Sequence, residues 1–335
     1  MGSTLNPRTV LSRYPSAVRP SAGPEPLGNA GGLSGSLLWR FRAGPRALVL
    51  RAWPADGPPR PALERVHAWL AEAGPLGFVP VPIAATDGRT LVGHAGRLWE
   101  VGPWLEGSPD LNRPPSPGHL KAGFAALAAF HQALSGHQEV GPSPGLLARL
   151  AEVDTWLSQG FRSLGDALDA SDDPRRLPAR QWLDAARAFA PGVRSRLAEA
   201  SRRDVVARPC LRDARPEHFL FVGERVAGLV DFGAMGLDSV ATDLARLSAE
   251  WLGDDPAARR AAMDAYVSIR QLDANEARLI PVFEDSAALL TGGRWASWHF
   301  LEGRAFSDPS AVGRGLAKGV ERLGRLAGPF TRNPS

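Results

Sequence analysis

Leu211-Arg-Asp-Ala-Arg-Pro-Glu-His218, followed by Phe219-Leu-Phe-Val222 and Leu229-Val-Asp-Phe-Gly233, is the stretch that decides the fold. The runs Val205–Leu211, Phe219–Val222 and Ala227–Phe232 are short, apolar and bounded by polar or glycine-containing segments, which predicts strands. One carboxylate, Asp213, falls in the loop straight after the first strand. His218 follows five residues later, just before the second. Another carboxylate, Asp231, ends the return strand of a hairpin and is followed by Phe-Gly. The hairpin is expected to fold Asp231 back beside the Asp213 loop.

On the N-terminal side of this stretch the pattern is helical. His119–Leu134, Leu146–Leu157 and Pro178–Ala200 repeat apolar residues at helical spacing, with a polar loop over Asp169–Pro178. Earlier still the chain is rich in strands. Leu37–Arg42 and Ala47–Trp53 form a predicted hairpin turning at Ala43-Gly44-Pro45. A helix is predicted over Pro61–Ala73, with Leu63, Val66, Trp69 and Leu70 on one face and Gly74 closing it. Strands follow at Thr90–Gly93 and Leu98–Gly102. On the C-terminal side, Thr242–Trp251, Pro256–Ile269 and residues 276–304 return to helix, and the tail after Asn333 is expected to fray. Residues 1–26, rich in Pro, Ser and Gly, are expected to be a loosely docked arm.

These patterns predict an α+β fold of two lobes: an arm over 1–26, a small β-rich N-lobe over 27–105, and a larger helical C-lobe over 106–332 that carries the loop and hairpin. A cleft between such lobes is a common small-molecule site. The chain has 335 residues, 44% of them hydrophobic, enough for one large domain or two lobes with real cores. No apolar run approaches the ~20 residues needed to span a bilayer. The N-terminal stretch lacks a charged-then-apolar signal pattern, so a cytoplasmic protein without membrane contact is expected. One cysteine, Cys210, excludes disulfide scaffolds and cysteine-based metal sites. The net charge of +4 is spread among scattered residues, nearly all the basic ones arginine, and gives no nucleic-acid footprint. Oligomeric state is not legible.

Two carboxylates brought together by a hairpin suit phosphoryl transfer. One must accept or orient the attacking hydroxyl, another must hold the cation that neutralises the phosphates, and a further ligand often fixes a second ion. The spacing from Asp213 through His218 to Asp231-Phe232-Gly233 is more specific than any of its parts. In these residues the chain resembles the aminoglycoside phosphotransferase and choline kinase superfamily, with its protein-kinase-like fold. That family's loop reads H-G-D-x-x-x-x-N before an apolar hairpin and D-F-G. Here it reads Leu211-Arg212-Asp213-x-x-x-x-His218, and the family's Asp-Leu-Ala helix start has a counterpart in Asp243-Leu244-Ala245.

The resemblance, over roughly residues 27–305, implies an ATP-dependent phosphotransferase acting on a hydroxyl of a small molecule. It implies Asp213 as the catalytic carboxylate and Asp231 and His218 as metal ligands, with Mg2+ expected and Mn2+ possible because imidazole suits softer ions. It places Gly32, Ser34 and Gly35, within Gly31–Gly35, in a glycine-rich loop over the phosphates. Arg51 falls at the phosphate-contacting strand lysine, with Glu64 as its partner acid and Glu72 as the alternative. Glu100 and Gly102 fall in the interlobe segment whose backbone meets adenine. The altered Leu211, Arg212, His218 and Arg51 also motivate a second reading, a pseudokinase that binds nucleotide or acts as a scaffold. For single residues the ordinary readings stand beside these: His218 as a polar residue packed before a strand, His131 as a satisfied core histidine, Arg51 as a surface arginine. The acceptor is not legible, because one fold serves many acceptors.

Overall fold

Glycines and one alanine in left-handed backbone set the turns of the N-terminal sheet. In this computed structural model, which describes residues 5–28, 35–306, 308 and 310–330, the chain order begins with α1 (Pro7–Leu11), β1 (Glu25–Gly28), β2 (Leu37–Ala43), β3 (Arg46–Ala52), α2 (Arg60–Ala73), β4 (Val92–His94), β5 (Arg97–Pro103) and α3 (Pro117–Ala133). It continues with β6 (Glu139–Pro142), α4 (Pro144–Thr155), α5 (Phe161–Asp169), α6 (Arg176–Ala200), β7 (Asp204–Cys210), β8 (Phe219–Val222), β9 (Arg225–Leu229) and β10 (Gly236–Asp238). The last helices are α7 (Ala241–Trp251), α8 (Pro256–Val267), α9 (Ala274–Ala296) and α10 (Ala311–Phe330). Gly44 takes φ +61° in the β2–β3 turn, and Ala95 and Gly96 take φ +50° and +70° in the β4–β5 turn. Positive φ in two-residue turns matches the right-handed twist of the flanking strands.

The chain forms two compact units. The first comprises the described residues within Met1–His137, Leu211–Gly236 and Glu250–Gln271. Its antiparallel sheet has the order β1-β2-β3-β5-β4, with Arg51 on β3 directly opposite Glu100 on β5. Leu48, Leu50, Trp99 and Val101 are its fully buried centre. The β8–β9 hairpin belongs to the same unit. Phe124 of α3 and Phe219 and Phe221 of β8 surround the buried Trp251 ring at centroid distances of 6.4, 6.4 and 6.0 Å. The second unit comprises the described residues within Gln138–Cys210, Leu237–Ala249 and Leu272–Ser335. It is a helical body whose core includes Trp182, Leu183, Leu289 and Leu316, all 1% exposed or less.

The α+β prediction and most of its elements hold, with three differences. The N-terminal arm is not loose: Val10, Leu11, Tyr14 and Val18 are buried in the core of the five-stranded sheet. Their spacing is a helical stripe that the surrounding Pro, Ser and Gly mask. The return strand of the hairpin ends at Leu229, so Asp231 lies beyond it, at φ +64°, rather than closing it. Strands β1 and β6 and helix α10 were not expected. The two strands are four residues long, mostly exposed and interrupted by Pro and Gly, so periodicity is silent about them.

Candidate active site

The loop after β7 carries an unusual backbone. Arg212 takes φ +62°, in the left-handed region where glycine is ordinarily found. Asp213 follows, and its Oδ1 accepts a 2.8 Å hydrogen bond from Arg215 Nε. Burial lowers the Arg215 guanidinium, but the Asp213 carboxylate beside it, together with Glu217 and Glu250, holds it above its ordinary value. Arg215 also reaches Glu217 at 3.5 Å. Arg215, two positions on, thus helps orient the Asp213 carboxylate.

His218 closes a short 3-10 turn, Pro216–His218, that delivers the chain into β8. Its Nδ1 lies 3.0 Å from the Asp213 carbonyl oxygen. A carbonyl can only accept, so Nδ1 carries the proton and, in the neutral ring, Nε2 keeps its lone pair. That Nε2 lies 3.6 Å from Asp231 Oδ2. The backbone N–H of Val230 donates to the His218 carbonyl at 3.0 Å, which holds the segment before Asp231 against the loop.

Asp213 and Asp231 line one cavity of about 320 Å³, together with Trp53, Asp56, Gly57 and Gly233. The Trp53 ring rests on Gly233: a Cβ there would lie 3.1 Å from the indole and 3.5 Å from Asp231 Oδ1. Trp53 Nε1 donates to Glu100 Oε2 at 2.8 Å, and the Arg51 guanidinium stacks over the Trp53 ring at 4.8 Å.

The other expected residues fall as follows. Gly32 and Ser34 lie outside the described residues. Gly35 is exposed at φ +72°. Arg51 Nε lies 3.8 Å from Glu100 Oε1, both side chains mostly buried. Glu64 is not the acid opposite Arg51. It lies on the outer face of α2 and pairs with Arg60 at 3.4 Å, one turn away. Glu72 pairs with His137 instead. The physical reason is register: the direct pairing of β3 with β5 brings Glu100 to Arg51 across the sheet. The carboxyl of Glu100 is raised by burial, yet the bonds from His67, Arg51 and Trp53 together hold it below the usual carboxylate range. Gly102 leaves open space where a side chain would stand. His131 is a satisfied core histidine, fully buried with Nδ1 2.8 Å from the Tyr266 hydroxyl.

Arg215, Trp53 and Asp56 were not anticipated as site residues. A cation two residues past the loop carboxylate is a signal for Arg215. Nothing in sequence alone marks Trp53 or Asp56, because their place depends on how the segment after β3 meets the hairpin. The donor set can hold a divalent cation: a carboxylate and an imidazole nitrogen with its lone pair directed beside it suit a borderline ion such as Mn2+ as well as Mg2+.

The chain is similar to several characterised proteins. Homoserine kinase of Sinorhizobium medicae is 26% identical over 215 residues, 63% of this chain and 60% of its own length. The chain thus spans about three fifths of the curated relative it matches. Among solved structures, an aminoglycoside phosphotransferase from Alicyclobacillus acidocaldarius superposes with a TM-score of 0.65 at 18% identity, over 98% of this chain and 96% of that one. Amicoumacin kinase hAmiN, solved in complex with AMP-PNP, Ca2+ and Ami, gives 0.58 at 13% identity, over 96% and 97%. These likenesses establish the fold as that of the kinase-like phosphotransferases. The profile of the phosphotransferase enzyme family matches residues 28–279, well over half of the sequence, and the chain belongs to that family.

Proposed function

We propose that this chain is an ATP-dependent kinase that transfers the γ-phosphoryl group to a hydroxyl of a small molecule. The observation that carries the reading is the shared cavity of Asp213 and Asp231, with Arg215 fixing one carboxylate and His218 beside the other. Asp213 receives the proton of the acceptor hydroxyl while that oxygen bonds to phosphorus and the bond to the β–γ bridging oxygen breaks, releasing ADP. Arg215 keeps the carboxylate turned toward the acceptor. Arg51 contacts phosphate oxygens, and the open side of Gly102 faces adenine. Asp231 and His218 are the residues that would hold Mg2+ or Mn2+, which supplies neutralisation of phosphate charge when bound.

Homoserine heads the acceptor panel, because homoserine kinases are the relatives by sequence. The test is ADP formation from ATP with homoserine, amino sugars and other small alcohols. Asp213→Ala should lower turnover by roughly 10²- to 10⁴-fold, the usual worth of a general base, with nucleotide affinity nearly unchanged. Turnover equal to wild type in that variant would remove Asp213 from the mechanism. A wild-type protein that binds ATP and turns over none of the panel would favour the non-catalytic reading.

His218→Asn should move the metal preference toward Mg2+. The ratio of Mn2+-supported to Mg2+-supported nucleotide affinity should fall by roughly tenfold, as for other changes close to a metal. Calorimetric titration of ATP in each metal measures it, and an unchanged ratio would place His218 outside the metal site.

A further inference from the structure

The Arg51–Glu100 pair is anchored by a residue that the proposed chemistry does not use. His67, on the buried face of α2, is only 5% exposed at its side chain. Its Nε2 lies 2.9 Å from Glu100 Oε2, the oxygen that also accepts from Trp53 Nε1 at 2.8 Å. A carboxylate only accepts, so Nε2 donates. On the other side of the ring, Nδ1 lies 2.7 Å from Thr90 Oγ1, and a hydroxyl can donate to it. The ring is thus held at both nitrogens.

The chain of contacts continues to the cavity. From His67 it passes to the Glu100 carboxylate, then to the Trp53 indole and the Arg51 guanidinium, and from Trp53 to the Gly233 backbone two residues past Asp231. A helix that would otherwise offer an acid to the strand cation offers a hydrogen-bond donor instead, and the acid sits on the neighbouring strand. Without His67, Glu100 Oε2 would keep one donor where it now has two. Nothing else joining α2 to Glu100 is present among the described side-chain bonds.

We propose that His67 is a positioning residue of the candidate active site: from α2 it holds Glu100, which fixes Arg51 and seats Trp53 against Gly233 beside Asp231. The nucleotide arm of its test rests on the kinase reading; the spectroscopic arm does not.

The experiment compares His67→Leu, His67→Gln and Thr90→Val in the full chain, with melting temperature measured in parallel. Two readouts decide. One is the KM for ATP against kcat. The other is the ¹⁹F resonance of Trp53 in 5-fluorotryptophan-labelled protein, assigned by its absence in Trp53→Phe. His67→Leu should raise the KM for ATP by roughly tenfold, the size of one hydrogen bond to a charged group, and move the Trp53 resonance. His67→Gln, which keeps a donor, should return both toward wild type. Thr90→Val, which frees the far ring nitrogen, should move both in the same direction by less, and it carries the test should the leucine variant not fold. A lower melting temperature with KM and resonance unchanged would overturn the proposal, as would a glutamine variant no better than the leucine one. If wild type proves to have no nucleotide turnover, the kinase reading fails by itself and the Trp53 resonance still decides for or against His67.

Discussion

Arg212 and Asp231, two residues with side chains, hold backbone angles that glycine normally takes, at φ +62° and +64°. Each costs on the order of 1–2 kcal/mol, and such strain gathers at functional sites. In the family pattern Arg212 stands at the loop glycine, and the positive φ is the physical reason a glycine suits that place. The substitution was legible in the sequence; that the chain keeps the glycine angle despite it was not. Arg215 is the other residue on which the loop depends. Removing its side chain takes away the 2.8 Å bond from Nε that helps orient the Asp213 carboxylate. Arg215→Ala should therefore lower kcat by roughly a hundredfold, the cost of about an ångström of misplacement, with little change in the KM for ATP. Arg215→Lys, which restores a cation without the planar fork, should recover part of the loss. Steady-state kinetics of the two variants measures this, and equal losses in kcat and KM would make Arg215 a binding group instead.

At the scale of elements, the ties that position the hairpin lie outside the motif. Ser116 caps α3: its hydroxyl oxygen accepts from His119 N–H at 3.2 Å, and its own N–H donates to Asp110 Oδ2 at 3.1 Å. The His119 ring then bridges Asp110 Oδ2 at 2.8 Å and the Gly223 carbonyl, in the β8–β9 turn, at 2.9 Å. Both partners accept, so the imidazolium satisfies both. The Asp110 carboxylate is the main reason the His119 value is raised; burial opposes it, and Glu224 nearby adds to it. Burial pushes Asp110 up, but the bonds from His119, Asn112 and Ser116 bring it net below its ordinary value. The raised histidine contributes stability that is full below its unfolded value of about 6.5 and is lost as pH rises through the higher folded value. The lowered aspartate contributes above about 3.9 and is lost as pH falls through its lower folded value. The stability difference between wild type and His119→Gln should therefore be greatest at about pH 4–6.5 and shrink above it. Urea unfolding across pH measures it, and a pH-independent difference would show that His119 acts by packing alone.

At the scale of the whole molecule, each unit closes on its own aromatic core, and glycines let the rings come close. Gly293 on α9 would, with a Cβ, approach Trp182 Cη2 at 2.8 Å and Trp156 Cζ2 at 2.9 Å. Trp182 is fully buried and its Nε1 donates to the Leu289 carbonyl at 3.2 Å, so it cannot swing away. Gly293→Ala gains up to about 1 kcal/mol of helix propensity but meets an overpacking cost of roughly 1–3 kcal/mol. A net loss on the order of 1 kcal/mol is expected. Hydrogen exchange should rise in α6 and α9, while the amides of β2, β3 and β5 keep their protection. Faster exchange in those strands would mean that the two units open together.

The sequence by itself determined the family, the strand–loop–hairpin order around Asp213 and Asp231, and most helices, because these depend on local periodicity and on spacing within 21 residues of chain, Asp213 to Gly233. Only the tertiary structure decided which acid faces Arg51, which nitrogen of His218 keeps its lone pair, and that Trp53 walls the cavity. Strand register, ring orientation and the approach of distant segments set those relations, and none leaves a periodic trace in the chain. The N-terminal stripe of Val10, Leu11, Tyr14 and Val18 lies between the two cases: its pattern was present, but only burial against the sheet distinguished it from a polar arm.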